Sequence, residues 1–351
     1  MARVMVVFGG RSGEHEVSLA SARAITGALE RGGRHEVVPV GITRAGRWIS
    51  SGDPMRELES GSKPLPDGST LEISVPPAAA GEKLPANLGS VDVVFPVLHG
   101  PYGEDGTIQG MLELAGVPYV GSGVLGSAVG MDKITMKKVF AHHGLPQVEW
   151  AGLTRKEWSE GPEAKIREIE SSLGYPCFVK PANLGSSVGI GMADDAQGLR
   201  AALEEAAGYD RRIIVERGVD AREIEVSVLG NEDPKVSVPG EIFLKGEGFY
   251  DYEAKYVEGG MELGVPAKIP DETTEGLRRV ARAAFEAVDA AGMARVDFFL
   301  ERGTDRLLLN EINTIPGFTP TSVYAELWAA SGLPYEDLIE RLIELALERH
   351  G

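Results

Sequence analysis

The chain has 351 residues, 43% of them hydrophobic and 25% charged, with a formal net charge of −18. That length predicts two or three domains with their own cores, and the composition is that of an ordinary globular protein. An acid excess of this size excludes a broad nucleic-acid footprint, which needs a basic face, although a few local lysines can still hold a small anion. The single cysteine, Cys177, has no partner for an intramolecular disulfide. It lies in the apolar run Tyr175–Val179, where a buried thiol is expected rather than a nucleophile. The apolar start is too short for a signal peptide, and no run of about 18 apolar residues marks a membrane span, so a cytoplasmic protein without a membrane partner is expected.

In chain order, Val4–Phe8 reads as a buried strand, Glu16–Leu29 as a helix and Glu36–Ile42 as a second strand. Val91–Leu98 makes a third strand, and Thr107–Leu114 a helix that stops at Gly116. This βαβ rhythm predicts a parallel sheet with helices on its faces. Between them, Thr43–Ser90 is rich in Gly, Pro and Ser and is expected to be an insertion with short strands such as Glu72–Val75. A helix is expected from Met131 to His143, stopping at Gly144 ahead of Pro146. Helix Glu163–Leu173, strands Pro176–Val179 and Ile190–Met192, helix Ala196–Ala207 and strand Ile213–Glu216 then form an α+β unit. Last come strand Ile224–Leu229 and helices Thr273–Ala291, Thr321–Ala330 and Tyr335–Glu348, grouped around a hairpin.

That hairpin carries the strongest chemical signal. Val296–Leu300 and Arg306–Glu311 flank the turn Glu301–Asp305, and a symmetric pairing centred on Thr304 sets Asp297 opposite Glu311. Asn313 joins Glu311 on the same face by alternation. Opposed carboxylates repel unless a cation sits between them, and three hard oxygen donors favour Mg²⁺ or Mn²⁺ over zinc. A merely solvated acidic edge is the plain alternative.

Two familiar patterns read as decoys. Gly121–Gly126 matches G-x-G-x-x-G, but its preceding strand is short and no acid-ended second strand follows at the right distance. Gly185–Gly189 matches G-x-S-x-G, yet a strand rather than a helix follows the serine. Residues 180–190 read better as a loop over phosphates. Lys180 ends a buried strand, the glycines turn backbone N–H groups inward, and Ser186 and Ser187 add donors. Lys133 and Lys255 supply point charges for the same anion. The strand end Ile213–Val219, with Arg217, offers backbone groups to an adenine edge, and Glu223 sits near a ribose. Phe249–Tyr256 has the composition of an active-site lid. Glu14 either complements a helix dipole or holds a substrate ammonium, and His99 follows a strand end on the same sheet edge.

Seven segments stand in order: GGRSGEHEVS from Gly9, LHGPYGEDGTIQG from Leu98, GSGVLGSAVGMDK from Gly121, FVKPANLGSSVG from Phe178, FYDYEAKY from Phe249, RVD from Arg295 and NEINTIPGFTPTS from Asn310. Together they resemble the D-alanine–D-alanine ligases of the ATP-grasp superfamily over nearly the whole chain, Thr43–Ser90 excepted. The resemblance implies a mixed α/β and α+β protein of three domains. These are an N-terminal parallel α/β substrate domain over 1–126, a central ATP-grasp subdomain over 127–219 and a C-terminal domain with metal site and lid over 220–351. ATP would lie between the second and third. The implied reaction joins two D-alanines through a D-alanyl phosphate for peptidoglycan precursors, with a ligase using another second substrate, such as D-serine, as the alternative.

By the same resemblance Glu14, Ser186 and Tyr256 form a triad that anchors the first D-alanine and the lid, with His99 nearby. Lys133, Lys180 and Lys255 contact phosphates, while Glu216, Val219 and Glu223 hold adenosine. Asp297, Glu311 and Asn313 bind two Mg²⁺, and Arg295 stabilises the tetrahedral oxyanion. Gly317 and Ser322 meet the second substrate. Val323 departs from the family's frequent leucine in that pocket, and Ala182–Leu184 departs from the commoner phosphate-loop entry. Tyr256 argues against D-lactate as second substrate. A homodimer is implied as well.

Overall fold

The computed structural model describes residues 1–61, 91–185, 188–244 and 261–351. Three sheets organise them. The first runs β3-β2-β1-β4, built from β1 (Arg3–Gly9), β2 (Glu36–Ile42), β3 (Trp48–Ile49) and β4 (Val93–Val97). β1 pairs in parallel with β2 and β4, as the βαβ rhythm predicts, whereas β3 is an antiparallel edge, so the sheet is mixed. Val4, Val6 and Phe8 of β1 enter one core with α1 (His15–Gly32), and Met5 and Val7 enter another with α3 (Thr107–Ala115). Burial on both faces is why this strand reads as an unbroken apolar run.

The described part of the expected insertion packs with this sheet. β3 extends the sheet, and helix α2 (Pro54–Gly61) places Leu58 in the core of Val4 and Phe8. The strand expected at Glu72–Val75 lies outside the described residues. The helix expected from Met131 to His143 is present as α5 (Lys133–His142), and a further helix, α4 (Val124–Met131), precedes it across a break at Asp132. Asp132 stops one helix and starts the next because its carboxylate accepts from the Thr135 N–H at 2.8 Å, an N-cap bond.

The second sheet, β5-β8-β6-β7, is antiparallel throughout, with β5 (Trp150–Thr154), β6 (Cys177–Pro181), β7 (Gly191–Ala193) and β8 (Arg212–Arg217). Helices α6 (Arg155–Glu160), α7 (Pro162–Ser172) and α8 (Ala196–Tyr209) cover one face. Cys177 is buried in that core, and burial pushes its thiol up to about 11, which suits an inert side chain.

The third sheet runs β12-β11-β9-β13-β14, with β10 (Lys235–Val236) paired to β9 (Ala221–Gly230). Its other members are β11 (Gly240–Leu244), β12 (Met261–Gly264), β13 (Gly292–Glu301) and β14 (Leu307–Asn313). Ile224, Val226 and Val228 of β9, with Ala294, Val296 and Phe298 of β13, pack against helix α9 (Asp271–Ala287) and against Met136 and Phe140 of α5. Helix α9 ends four residues earlier than expected, ahead of Asp289, which turns the chain at φ 59°. The last two helices, α10 (Val323–Ala330) and α11 (Tyr335–His350), return to the core of α1 and β1, where Leu338, Leu342 and Ile343 are buried.

Candidate active site

With the even-numbered residues of β9 and β13 committed to the core, alternation sends the odd-numbered ones to the opposite face. Glu223 and Glu225 of β9, Arg295, Asp297 and Phe299 of β13, and Glu311 and Asn313 of β14 line a cleft of about 660 Å³. Asp297 pairs in register with Glu311 on one side and with Glu225 on the other, which sets three carboxylates in a row across adjacent strands. The symmetric hairpin about Thr304 holds as far as Asp297 and Glu311. Nearer the turn, Phe298 pairs with Leu309, and a bulge leaves Asn310 without a partner in the register. Bulges bend a strand and re-aim its side chains, and this one adds Asn310 to the cleft lining beside Glu311.

Like charges this close need cations. Arg295 donates through Nε and Nη2 to the two oxygens of Asp297 at 2.8 and 2.7 Å, and its Nε lies 2.9 Å from Glu225 Oε2. Asn313 Nδ2 donates to Asp297 Oδ2 at 3.0 Å, and Lys133 Nζ stands 3.4 Å from Glu311 Oε2. Among the described residues no group of three His, Cys, Asp or Glu side chains forms a metal cage. The expected set is two carboxylates with an amide, all oxygen donors, a chemistry that fits a hard divalent cation completed by ligand oxygens.

Across the cleft the second sheet presents Lys180 at the end of β6 and Glu216 on β8. Lys180 Nζ is 2.5 Å from Glu216 Oε2, and Lys137 Nζ is 2.6 Å from Glu216 Oε1. Burial alone would raise the Glu216 carboxyl, but the two ammonium groups pull it down to about 2. For Lys180, burial is outweighed by Glu216 and then Glu311, and its pKa rises. Lys133 donates to the Leu184 carbonyl at 3.0 Å, which ties the start of α5 to the loop after β6. Arg217 and Val219 line the same cleft.

Glu14 lies just ahead of α1, where a Cβ on Gly100 would come within 2.6 Å of its Oε2 and one on Gly185 within 2.9 Å. Both loops thus approach the carboxylate closely, and the left-handed φ of 71° at Gly100 favours glycine there. His99 is buried, and its Nδ1 lies 2.9 Å from the Ile315 carbonyl. Burial lowers the imidazole pKa, so the ring is neutral, donates through Nδ1 and keeps Nε2 as an acceptor. That Nε2 has no hydrogen-bond partner among the described residues. Gly317, Ser322 and Val323 line the cleft near the start of α10, where Ser322 Oγ accepts from the Thr319 N–H at 2.8 Å.

Every expected site residue that is described thus lines this one cleft. Ser186, Ser187, Lys255 and Tyr256, with the expected lid Phe249–Tyr256, lie outside the described residues. Three charged residues escaped the sequence reading. Glu225 could have been found by extending alternation from Glu223, and Lys137 by its four-residue offset from Lys133 on one helix. Glu104 accepts the Gly100 N–H at 2.6 Å and the Ile315 N–H at 3.2 Å. Burial, then the neighbouring Glu14, pushes its carboxyl up to about 8. Only the tertiary fold brings it to Ile315.

Comparison with known proteins identifies the family. Residues 3–122 match the family described as D-ala D-ala ligase N-terminus, and residues 139–344 match D-ala D-ala ligase C-terminus. The chain is 50% identical to a D-alanine–D-alanine ligase of Geobacillus thermodenitrificans over 99% of this chain and 96% of that protein. It is also 50% identical to one of Deinococcus radiodurans, covering 99% and 98%. Among solved structures, the D-alanine-D-alanine ligase from Coxiella burnetii matches with a TM-score of 0.79 at 35% identity, covering 99% of this chain and 94% of that one. The VanG D-Ala:D-Ser ligase from Enterococcus faecalis matches at 0.81 and 34%, covering 98% and 99%. The chain belongs to the D-alanine–D-alanine ligase family, with the ATP-grasp fold.

Proposed function

We propose that this protein joins two D-alanine molecules to D-alanyl-D-alanine, forming ADP and phosphate, for peptidoglycan precursor synthesis in the cytoplasm. The observation that carries the reading is the convergence, in one cleft, of Lys133 and Lys180 with the Asp297, Glu311 and Asn313 set and Arg295. A carboxylate is a poor electrophile. In the first step an oxygen of one D-alanine carboxylate attacks the γ-phosphorus of ATP, the β–γ bridging P–O bond breaks, and ADP leaves. The product is an acyl phosphate. In the second step the neutral amine of the other D-alanine attacks the acyl carbon, phosphate departs, and the amine loses its proton.

Each residue then has a task. Glu14 offers negative charge to the first ammonium, beside the neutral acceptor His99 Nε2. Lys133 and Lys180 neutralise charge on the transferring phosphoryl group, which is most of what a protein can contribute to such a step. Glu216, Arg217, Val219 and Glu223 hold the adenosine end. Asp297, Glu311 and Asn313 would hold Mg²⁺ or Mn²⁺, which supplies charge neutralisation at the phosphates. Arg295, gripped by Glu225 and Asp297 and permanently charged, faces the oxyanion of the second step; losing such a donor costs roughly 3–4 kcal/mol in comparable sites. Gly317, Ser322 and Val323 receive the second substrate, and Ser186, Ser187, Lys255 and Tyr256 complete the phosphate loop and lid. We assign residues 1–126, 127–219 and 220–351 to the three domains, two metal ions to the acidic set, and a homodimer as the assembly, which light scattering on the purified protein would test.

The deciding experiment is phosphate release from ATP and Mg²⁺ with D-alanine, L-alanine, D-serine plus D-alanine, or D-lactate plus D-alanine, with products identified by mass. The expected result is release with D-alanine and a D-alanyl-D-alanine product. Silence with D-alanine would overturn the reading. A D-alanyl-D-serine product would favour the second reading, for which Val323 in the second-substrate pocket is the motivating residue.

A further inference from the structure

Lys137 has no part in the chemistry above, yet it is a charge placed where charge is expensive. It is 1% exposed, and burial pulls its pKa below the usual lysine range. Its ammonium makes two contacts on two different sheets. One is the ion pair with Glu216 Oε1 of β8 at 2.6 Å. The other is a hydrogen bond donated to the Asn310 carbonyl of β14 at 3.2 Å. Asn310 is the bulge residue, which has no partner in the register, and the Lys137 ammonium supplies its half-buried carbonyl with a donor.

If stability were its whole purpose, this arrangement would be a poor one. Buried ion pairs are commonly replaceable by apolar side chains of similar volume at no loss of stability. An apolar side chain could not, however, orient a carboxylate and a bulge carbonyl together. Glu216 stands at the adenosine end of the cleft, and Asn310 immediately precedes Glu311 at the phosphate end.

We propose that Lys137 is a positioning residue that holds the nucleotide half and the metal half of the cleft in one register, through the Glu216 carboxylate and the Asn310 bulge. The proposal rests on the reading of Glu216 and Glu311 as ligand residues given above. Lys137 touches no reacting atom; it acts through its two neighbours.

The test uses the full-length protein and two variants. Lys137→Met keeps the length and removes the donor. Lys137→Gln removes the charge and shortens the reach, but retains an amide donor. Binding of ADP with Mg²⁺ is measured by calorimetry, and binding of Mn²⁺ in the presence of ADP by loss of the free-ion paramagnetic signal. The Michaelis constant for D-alanine is taken alongside. Both dissociation constants are expected to rise roughly tenfold or more in Lys137→Met, and by a smaller factor in Lys137→Gln, while the D-alanine constant moves less than about twofold. A folded variant whose ADP and Mn²⁺ constants stay within about twofold of wild type overturns the proposal, as does a rise in one constant without the other. Loss of the folded state in both variants also overturns it, because the role is then structural. Failure of the wild-type protein to bind ADP with Mg²⁺ would instead overturn the underlying reading of the cleft.

Discussion

Glu311 and Asp297 face each other across the β13–β14 ladder, an arrangement that works against folding unless cations answer it. Lys133 at 3.4 Å and Arg295 on Asp297 do so in part. Glu311→Gln removes one of the opposed charges, so its melting temperature should match or exceed that of wild type. Turnover should fall by about a hundredfold or more if Glu311 holds the proposed metal ion. Phosphate release and a thermal melt on the same sample check both halves, and full turnover would sink the metal assignment. Glu104 yields a pH prediction of definite sign. Its carboxyl sits at about 8 in the fold against an ordinary value of 4.5. Between those values the native state keeps a proton that the unfolded chain has released, so its contribution is complete below 4.5 and is lost as pH rises towards 8. The stability of wild type relative to Glu104→Gln should therefore decline from pH 5 to pH 8, with a slope of at most about 1.4 kcal/mol per pH unit. Denaturant melts across that window are the measurement, and a flat difference would refute it.

Helix α4 and the turn after α9 give the glycines of a ligand-like motif a packing role. The Gly121–Gly126 pattern does open a helix, but a Cβ on Gly126 would strike the Asp289 carbonyl, and a Cβ on Gly292 would lie 3.0 Å from Gly121 N. The glycines are there so that α4 and the entry to β13 can touch. Gly126→Val should destabilise the protein by about 1–3 kcal/mol or more, as overpacking does, without a specific effect on nucleotide affinity. Urea melts paired with ADP titration would decide, and a variant of unchanged stability would show the contact to be dispensable. The acidic hairpin teaches the complementary lesson. Alternation and a turn centre were enough to pair Asp297 with Glu311. They could not reveal the bulge at Asn310, because one unpaired residue leaves no trace in an apolar pattern.

Taken whole, one cleft is lined by strands of the second and third sheets together with α1 and the loop that follows β4, so its lining exists only in the assembled fold. A ligand that binds only the assembled state stabilises it by mass action, by about 2.7 kcal/mol at a hundred times its dissociation constant. ADP with Mg²⁺ should thus raise the melting temperature by several degrees, while NADH at the same concentration should leave it unchanged. Dye-monitored melts test this directly; a shift with NADH would revive a dinucleotide role for Gly121–Gly126. The C-terminal helix bears on the same point. Leu338 and Leu342 of α11 sit in one core with Val4 and Phe8 of β1, so the last helix packs onto the first sheet.

Some properties were settled by local chemistry, which the order of residues records. Strand Glu36–Ile42, the Gly116 stop after α3, the Asp297–Glu311 pairing and the buried inertness of Cys177 follow from periodicity, turn residues and short-range register. Contacts between residues far apart in the chain decided the rest. The break at Asp132 is reinforced by Arg212, 80 positions away, and Glu104 meets Ile315 across 211. The Lys137–Glu216–Lys180 cluster exists only where a helix and two strands converge. Propensity and pattern act over a few residues, whereas burial and charge pairing act through space, and only the packed fold brings those partners within hydrogen-bonding distance.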